Sequence, residues 1–298
     1  MEHKKAHDFD QEVLILFDAY VHGALDRRGF LEQASKYAVG GVTAAMLLEQ
    51  LSPKFAEAQV VRPNDERIAP EYIEYSSPNG YGKARGYFVR PEATTGKLPG
   101  ILVIHENRGL NPHIEDIARR LALANFVAFA PDALFPLGGY PGGEDKAREL
   151  FPQLDQARTR EDFVAGAAFL KARPECSGRI GAVGFCYGGG MVNFLATRLG
   201  GDLAAGVPFY GSAPNVEDVP KIKAPLMIQA AEVDQRINAS WPAFEEALKA
   251  AKVSYERHLY PGTQHGFNND TTPRYDAAAA KLAWERTLAF FNKHVRSA

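Results

Sequence analysis

From about Glu71 onward, short runs of β-branched and aromatic residues alternate with stretches in which apolar side chains return every three or four positions. The runs predict buried or half-buried strands, and the stretches predict helices with one apolar face. Tyr72 to Tyr75 and Ala84 to Val89, separated by the turn residues Ser77-Pro78-Asn79-Gly80, read as an opening hairpin. Further strands are predicted at Ile101 to Ile104, Phe126 to Ala130, Ile180 to Val183, Ala205 to Tyr210, Leu226 to Ala230 and Tyr255 to Tyr260. Between and after them, helical patterns cover Ile114 to Ala124, Arg158 to Ala172, Gly190 to Leu199, Trp241 to Ala251 and Ala277 to His294. Such alternation predicts an α/β fold over residues 59–298: a mostly parallel central sheet covered by helices on both faces.

Residues 1–58 follow a different pattern. Val13, Leu14, Phe17 and Tyr20-Val21 recur at helical spacing, which predicts a helical extension packed on the body. The same segment also carries Arg27-Arg28-Gly29-Phe30-Leu31, then an apolar stretch from Ala38 to Leu48, then Ala56-Glu57-Ala58. Paired arginines, an apolar run and a small-x-small triplet in that order have the form of a twin-arginine export signal. Export to the periplasm after cleavage and a retained helical extension on a cytoplasmic protein are the two readings. A membrane span is excluded, because the apolar run is about a dozen residues long and a span needs roughly 20.

Composition narrows the function without naming it. Hydrophobic residues make up 46% of the chain and charged residues 23%, values of an ordinary globular protein. Thirty-four basic and 36 acidic side chains are well mixed and give a formal net charge of -2, so there is no footprint for nucleic acid or an anionic membrane. Two cysteines, Cys176 and Cys186, are too few for a disulfide framework and lack neighbours at zinc-ligand spacing. No metal or cofactor is expected. Cys176 lies in a loop-type stretch and reads as an ordinary thiol.

Cys186 has a different context. Gly184-Phe185-Cys186-Tyr187-Gly188-Gly189 is a cysteine version of the G-x-S-x-G nucleophile elbow, with a predicted strand running in and a predicted helix running out. A thiol at a helix N-terminus also feels partial positive charge, which favours the thiolate. A base is supplied by His265, in the turn-rich loop Pro261-Gly262-Thr263-Gln264-His265-Gly266-Phe267 after the last predicted strand. Asp234 stands between them in chain order, after the strand at Leu226 to Ala230, where the acid of such a triad belongs; Glu232 is the competing carboxylate. Glu106 follows the first parallel strand in His105-Glu106-Asn107-Arg108-Gly109, where an oxyanion-hole loop is expected, and the backbone N–H groups of Asn107 and Tyr187 are the natural donors.

Taken together, Glu106, the Cys186 elbow, Asp234 and His265-Gly266-Phe267 resemble the dienelactone hydrolases (carboxymethylenebutenolidases) of the α/β-hydrolase superfamily, over about Tyr81 to Phe291. The resemblance implies that Cys186 attacks, His265 shuttles the proton, Asp234 orients it and Glu106 partners the resting cysteine. It also implies hydrolysis of a small lactone or ester through a thioester. One departure stands out. That family holds the substrate carboxylate with two arginines, one soon after a Pro-Asp and one four positions after the histidine. Here Pro131-Asp132 is followed by no arginine as far as Tyr140, and the later position is Asn269. Arg108 or Arg274 is left to substitute, and without the clamp a neutral ester or lactone fits as well as an acidic one. Phe135, Tyr140, Tyr187 and Phe267 are candidates for an apolar lining. The competing functions are a thiol sensor on the same scaffold, which would need neither Asp234 nor His265, and an acyltransferase or peptidase using the same triad.

Overall fold

Eight strands join one sheet in the order β1-β2-β4-β3-β5-β6-β7-β8 in the computed structural model, which describes residues 4–296. The chain begins with helices α1 (Gln11–Val21), α2 (Arg27–Ala34), α3 (Ala44–Leu51) and α4 (Phe55–Ala58). Strands β1 (Ile68–Ser77) and β2 (Gly82–Pro91) form the antiparallel hairpin, followed by β3 (Leu98–Ile104), α5 (Pro112–Leu123), β4 (Val127–Pro131), α6 (Glu144–Leu150) and α7 (Gln156–Ala172). The second half runs β5 (Cys176–Phe185), α8 (Tyr187–Leu199), β6 (Ala205–Phe209), β7 (Leu226–Val233), α9 (Gln235–Asn238), α10 (Trp241–Ala250), β8 (Tyr255–Gln264) and α11 (Ala277–Phe291). Strands β3 to β8 are mutually parallel, and β2 alone runs against both its neighbours.

Both faces of the sheet are buried, as the continuous apolar runs require. Successive side chains of β3 alternate between the two cores. Ile101 and Val103 join α5 and α11, whereas Leu102 and Ile104 join α7, α8 and α10. Parallel strands separated by helical crossovers all end on one edge of the sheet. The loops after β3, β5, β7 and β8 therefore converge there, which brings residues 105, 186, 234 and 265 into one neighbourhood from four distant stretches of chain.

The N-terminal helices build a small core of their own, from α1 (Val13, Leu14, Phe17, Tyr20), α2 (Phe30, Ala34) and α3 (Leu47, Leu48, Leu51). That core does not merge with either core of the sheet. Asp10, Asp26 and Thr43 cap the three helices with side-chain oxygens on backbone N–H groups. The link to the body is pinned at Asp116 of α5, whose carboxylate accepts from the N–H of Val60 and Val61. The apolar stretch from Ala38 is not one helix: Gly40 and Gly41 both take positive φ, and the helix starts only at Ala44. Cys176, expected in a loop, opens β5 and is buried. Among the described residues no helix is long and apolar enough to cross a membrane.

Candidate active site

Cys186 sits between β5 and α8 with φ 55° and ψ -111°, a backbone state that an L-residue adopts only when its surroundings impose it. Two glycines impose it here. A Cβ on Gly184 would lie 2.1 Å from the Gly188 carbonyl oxygen, and one on Gly188 would lie 2.2 Å from that of Ile104. The strand-to-helix turn can therefore close this tightly only with hydrogen at both positions. Its effect is to lift the Cys186 side chain off the sheet edge at the N-terminus of α8. Tyr187 is the first residue of that helix, so its N–H is among those without an intrahelical partner.

His265 follows β8 directly, and its Nδ1 donates to Asp234 Oδ2 at 2.6 Å, with both side chains almost fully buried. Asp234 is itself held by the N–H of Ile237, as the cap of α9. With Nδ1 committed to the carboxylate, Nε2 is the free end of the ring, buried and without a hydrogen bond, and a ring nitrogen of His265 lies within 4.8 Å of Cys186 Sγ. Burial would raise the thiol, but the charge on His265, followed by the influence of His22 beside the sulfur, overcomes it and pulls Cys186 from 9.0 to about 5. In turn burial would lower His265, but the thiolate charge and Asp234 push it up to about 10. Each group thus favours the charged form of the other.

Glu106, expected beside the resting cysteine, accepts at its Oε2 a hydrogen bond from Asn269 Nδ2 at 2.9 Å. The side chain against the sulfur is His22, at the C-terminal end of α1, with Nε2 3.4 Å from Sγ. His22 Nδ1 donates to the Asp18 carbonyl at 2.8 Å and stands 3.3 Å from the Asp18 carboxylate. Burial opposes protonation of His22, but Asp18 and then the Cys186 thiolate raise its pKa. The Asp18 carboxyl falls far below the usual range against its own burial, through His22, His265 and Arg274. His22, Cys186 and His265 form a donor set suited to a soft divalent metal. Against that, the Arg236 guanidinium is 3.0 Å from His22 Nε2 and sets a positive charge on the same nitrogen.

The two candidate arginines line the cavity above Cys186, and both are engaged by the N-terminal helices. Arg108 Nη2 donates to the Val21 carbonyl at 2.8 Å, and its Nε faces Glu144 at 3.7 Å. Arg274 pairs with Asp18 at 3.2 Å. Asn107 lines the cavity as well, with its side-chain amide on Val21 O at 2.9 Å. The aromatic candidates fare differently. Phe267 is fully buried among Phe209, Tyr210 and Tyr260 and faces the core, because Gly266 (φ 84°) turns the chain between His265 and Phe267. Phe135 packs under the Arg85 guanidinium, and Tyr140 bonds Glu144 and meets Phe55; neither lines the cavity. The apolar lining comes from Phe17, Tyr20 and Val21 of α1, which the sequence pattern had placed in a packed helix without showing against what.

The dienelactone hydrolase family matches residues 84–295, which holds every strand from β3 onward and all four of Glu106, Cys186, Asp234 and His265. The chain belongs to the dienelactone hydrolase family. A second family, described as YqhI-like, matches residues 1–39. The hydrolase fragment YghX of Escherichia coli is 54% identical over 114 residues, 38% of this chain and 97% of the fragment. A protein of Synechocystis described as a carboxymethylenebutenolidase is 31% identical over 237 residues, 74% of this chain and 95% of its own length. Among solved structures, one described as a dienelactone hydrolase from Klebsiella pneumoniae superposes with a TM-score of 0.66 at 28% identity, over 76% of this chain and 100% of its own. The protein is accordingly a hydrolase of the dienelactone hydrolase type, with a small-molecule ester as the substrate kind that the family implies.

Proposed function

We propose that the protein hydrolyses a small carboxylic ester or lactone through a covalent thioester on Cys186, with His265 as proton shuttle and Asp234 as its orienting acid. The observation that carries the reading is the buried 2.6 Å bond from His265 Nδ1 to Asp234, which leaves Nε2 free to exchange a proton beside Cys186. The Cys186 thiolate adds to the acyl carbon, forming an S–C bond, and the carbonyl electrons move to oxygen. Backbone N–H groups of Asn107 and Tyr187 receive that oxyanion. As the carbonyl re-forms, the C–O bond to the alcohol breaks and His265 Nε2 gives its proton to the departing oxygen. Neutral His265 then takes a proton from water, whose oxygen attacks the thioester, and the thiolate leaves with the acid released.

Arg108 and Arg274 are both paired to the N-terminal helices, which supports a substrate with no need of a carboxylate clamp. The test is turnover of p-nitrophenyl acetate by Cys186→Ala at an unchanged Tm. Loss to the buffer rate is expected. Turnover within tenfold of the parent protein would overturn the reading. A panel of esters and lactones with and without a carboxylate is expected to show no advantage for the acidic members.

A further inference from the structure

The N-terminal helices meet the body over Cys186, among other places, and the contacts there are polar and specific. Three successive groups of α1 answer three groups of the site: the Asp18 carboxylate takes Arg274, the Val21 carbonyl takes Asn107 and Arg108, and His22 stands on the Cys186 sulfur. Farther out, Arg27 pairs with Asp145 at 2.6 Å, Tyr20 donates to the same carboxylate, and the N–H of Lys54 donates to Thr271 O at 2.8 Å. The three helices share a core of their own, separate from both cores of the sheet.

Beneath this unit the cavity at Cys186 has a volume of about 50 Å³. A cavity needs at least roughly 10–15 Å³ to take a water, so the space beside the sulfur takes a small group. So confined a space beside the sulfur suits a short acyl group, and a longer chain has to run against the roof. Body residues Glu106, Cys186, His265 and Asn269 make the floor, and Phe17, Tyr20 and Val21 make the roof.

We infer that the N-terminal helices are a resident roof over the substrate site, and that Tyr20 and Val21 select esters with a short acyl group. The inference rests on Cys186 being the nucleophile. It assigns to residues 1–58 a part in specificity, and it makes the helical extension a component of the working site.

The experiment measures kcat/KM on the full chain, by proton release, for the methyl esters of acetic, butyric and octanoic acids, so that the leaving group stays constant. The parent protein is expected to prefer acetate over octanoate by about a hundredfold or more, since even one misfitting methylene is worth about tenfold or more in an apolar pocket. Val21→Ala removes two methyl groups from the roof at a half-buried position and should raise the octanoate-to-acetate ratio about tenfold. Tyr20→Leu, which keeps an apolar side chain in the small core, should shift it the same way. Ile15→Ala, on the exposed side of α1, should leave the ratio unchanged. Thermal unfolding of each variant confirms that the roof is folded.

Equal turnover of all three esters by the parent protein would overturn the inference, as would an unchanged ratio in both roof variants. A uniform rise at every chain length would overturn it too, since that marks a plug and not a selecting wall. A flat profile that Cys186→Ala still abolishes defeats the roof alone, whereas turnover that survives Cys186→Ala defeats the nucleophile.

Discussion

Replacing His265 by alanine removes the largest influence that draws the Cys186 thiol down from 9.0 to about 5. The sign is set by which form the imidazolium stabilises: a positive neighbour favours the thiolate, so the thiolate persists above pH 5 and is lost as pH falls through that value. At pH 7 a thiol titrating near 5 is about 99% thiolate, and one titrating at 9.0 is about 1%. A hundredfold loss of alkylation rate does not follow, because thiolate nucleophilicity rises with pKa with a slope of about 0.4–0.5. Over four units that is about 40- to 100-fold, which nearly cancels the loss of thiolate at neutral pH. The midpoint of the pH–rate curve is therefore the informative quantity. With iodoacetamide, followed by intact mass between pH 4 and 10, the parent protein should show a midpoint near 5 and a flat rate through neutrality. In His265→Ala the midpoint should move up towards the ordinary thiol value near 8.5, stopped short by whatever His22 still supplies. A parent midpoint of about 8 or above would refute this mutual stabilisation. A parent midpoint near 5 that does not move in His265→Ala would assign the depression to some other group.

Asp234→Asn keeps the size of the side chain but turns an amide N–H₂ towards His265 Nδ1, which inverts the tautomer and leaves Nε2 unable to accept a proton. A fall in kcat of about 10³- to 10⁴-fold is expected, and a fall of less than tenfold would place the orienting acid elsewhere. Gly188→Ala puts a Cβ 2.2 Å from the Ile104 carbonyl oxygen, so α8 and β3 must part. The cost is about 1–3 kcal/mol or more, read as a loss of several degrees in Tm with activity lost beyond what unfolding explains. For residues 1–58, the intact mass of the protein taken from its own cells decides between the two readings of the twin-arginine pattern. A retained roof predicts a chain that includes α1, and a mature chain starting near Gln59 would contradict it.

Much of this site was legible in the sequence because its parts are local. The glycines around Cys186, the strand leading into it and the loops that carry Asp234 and His265 each announce themselves within a few residues, and parallel topology then gathers them at one sheet edge. His22 could not be read in the same way. The period of α1 shows that one face is buried, and no local signal says that its last turn ends on a sulfur 164 positions later. The aromatic lining failed for a related reason. Phe267 lies two positions from His265, but the turn at Gly266 sends the two side chains in different directions, one to the sulfur and one to the core. Arg108 and Arg274 line the cavity, but their partners, Val21 and Asp18, come from a segment whose docking the local pattern does not encode.

The central claim, that Cys186 carries the acyl group, is tested most directly by acid-quenching the protein within milliseconds of mixing with p-nitrophenyl acetate and weighing the intact chain. The account predicts one acetyl group per chain, on the peptide that contains Cys186, released by hydroxylamine at neutral pH as a thioester is, and absent from Cys186→Ala. An acetyl group on any other side chain, or full turnover with none trapped on Cys186 in a variant slowed at deacylation by Asp234→Asn, would contradict it.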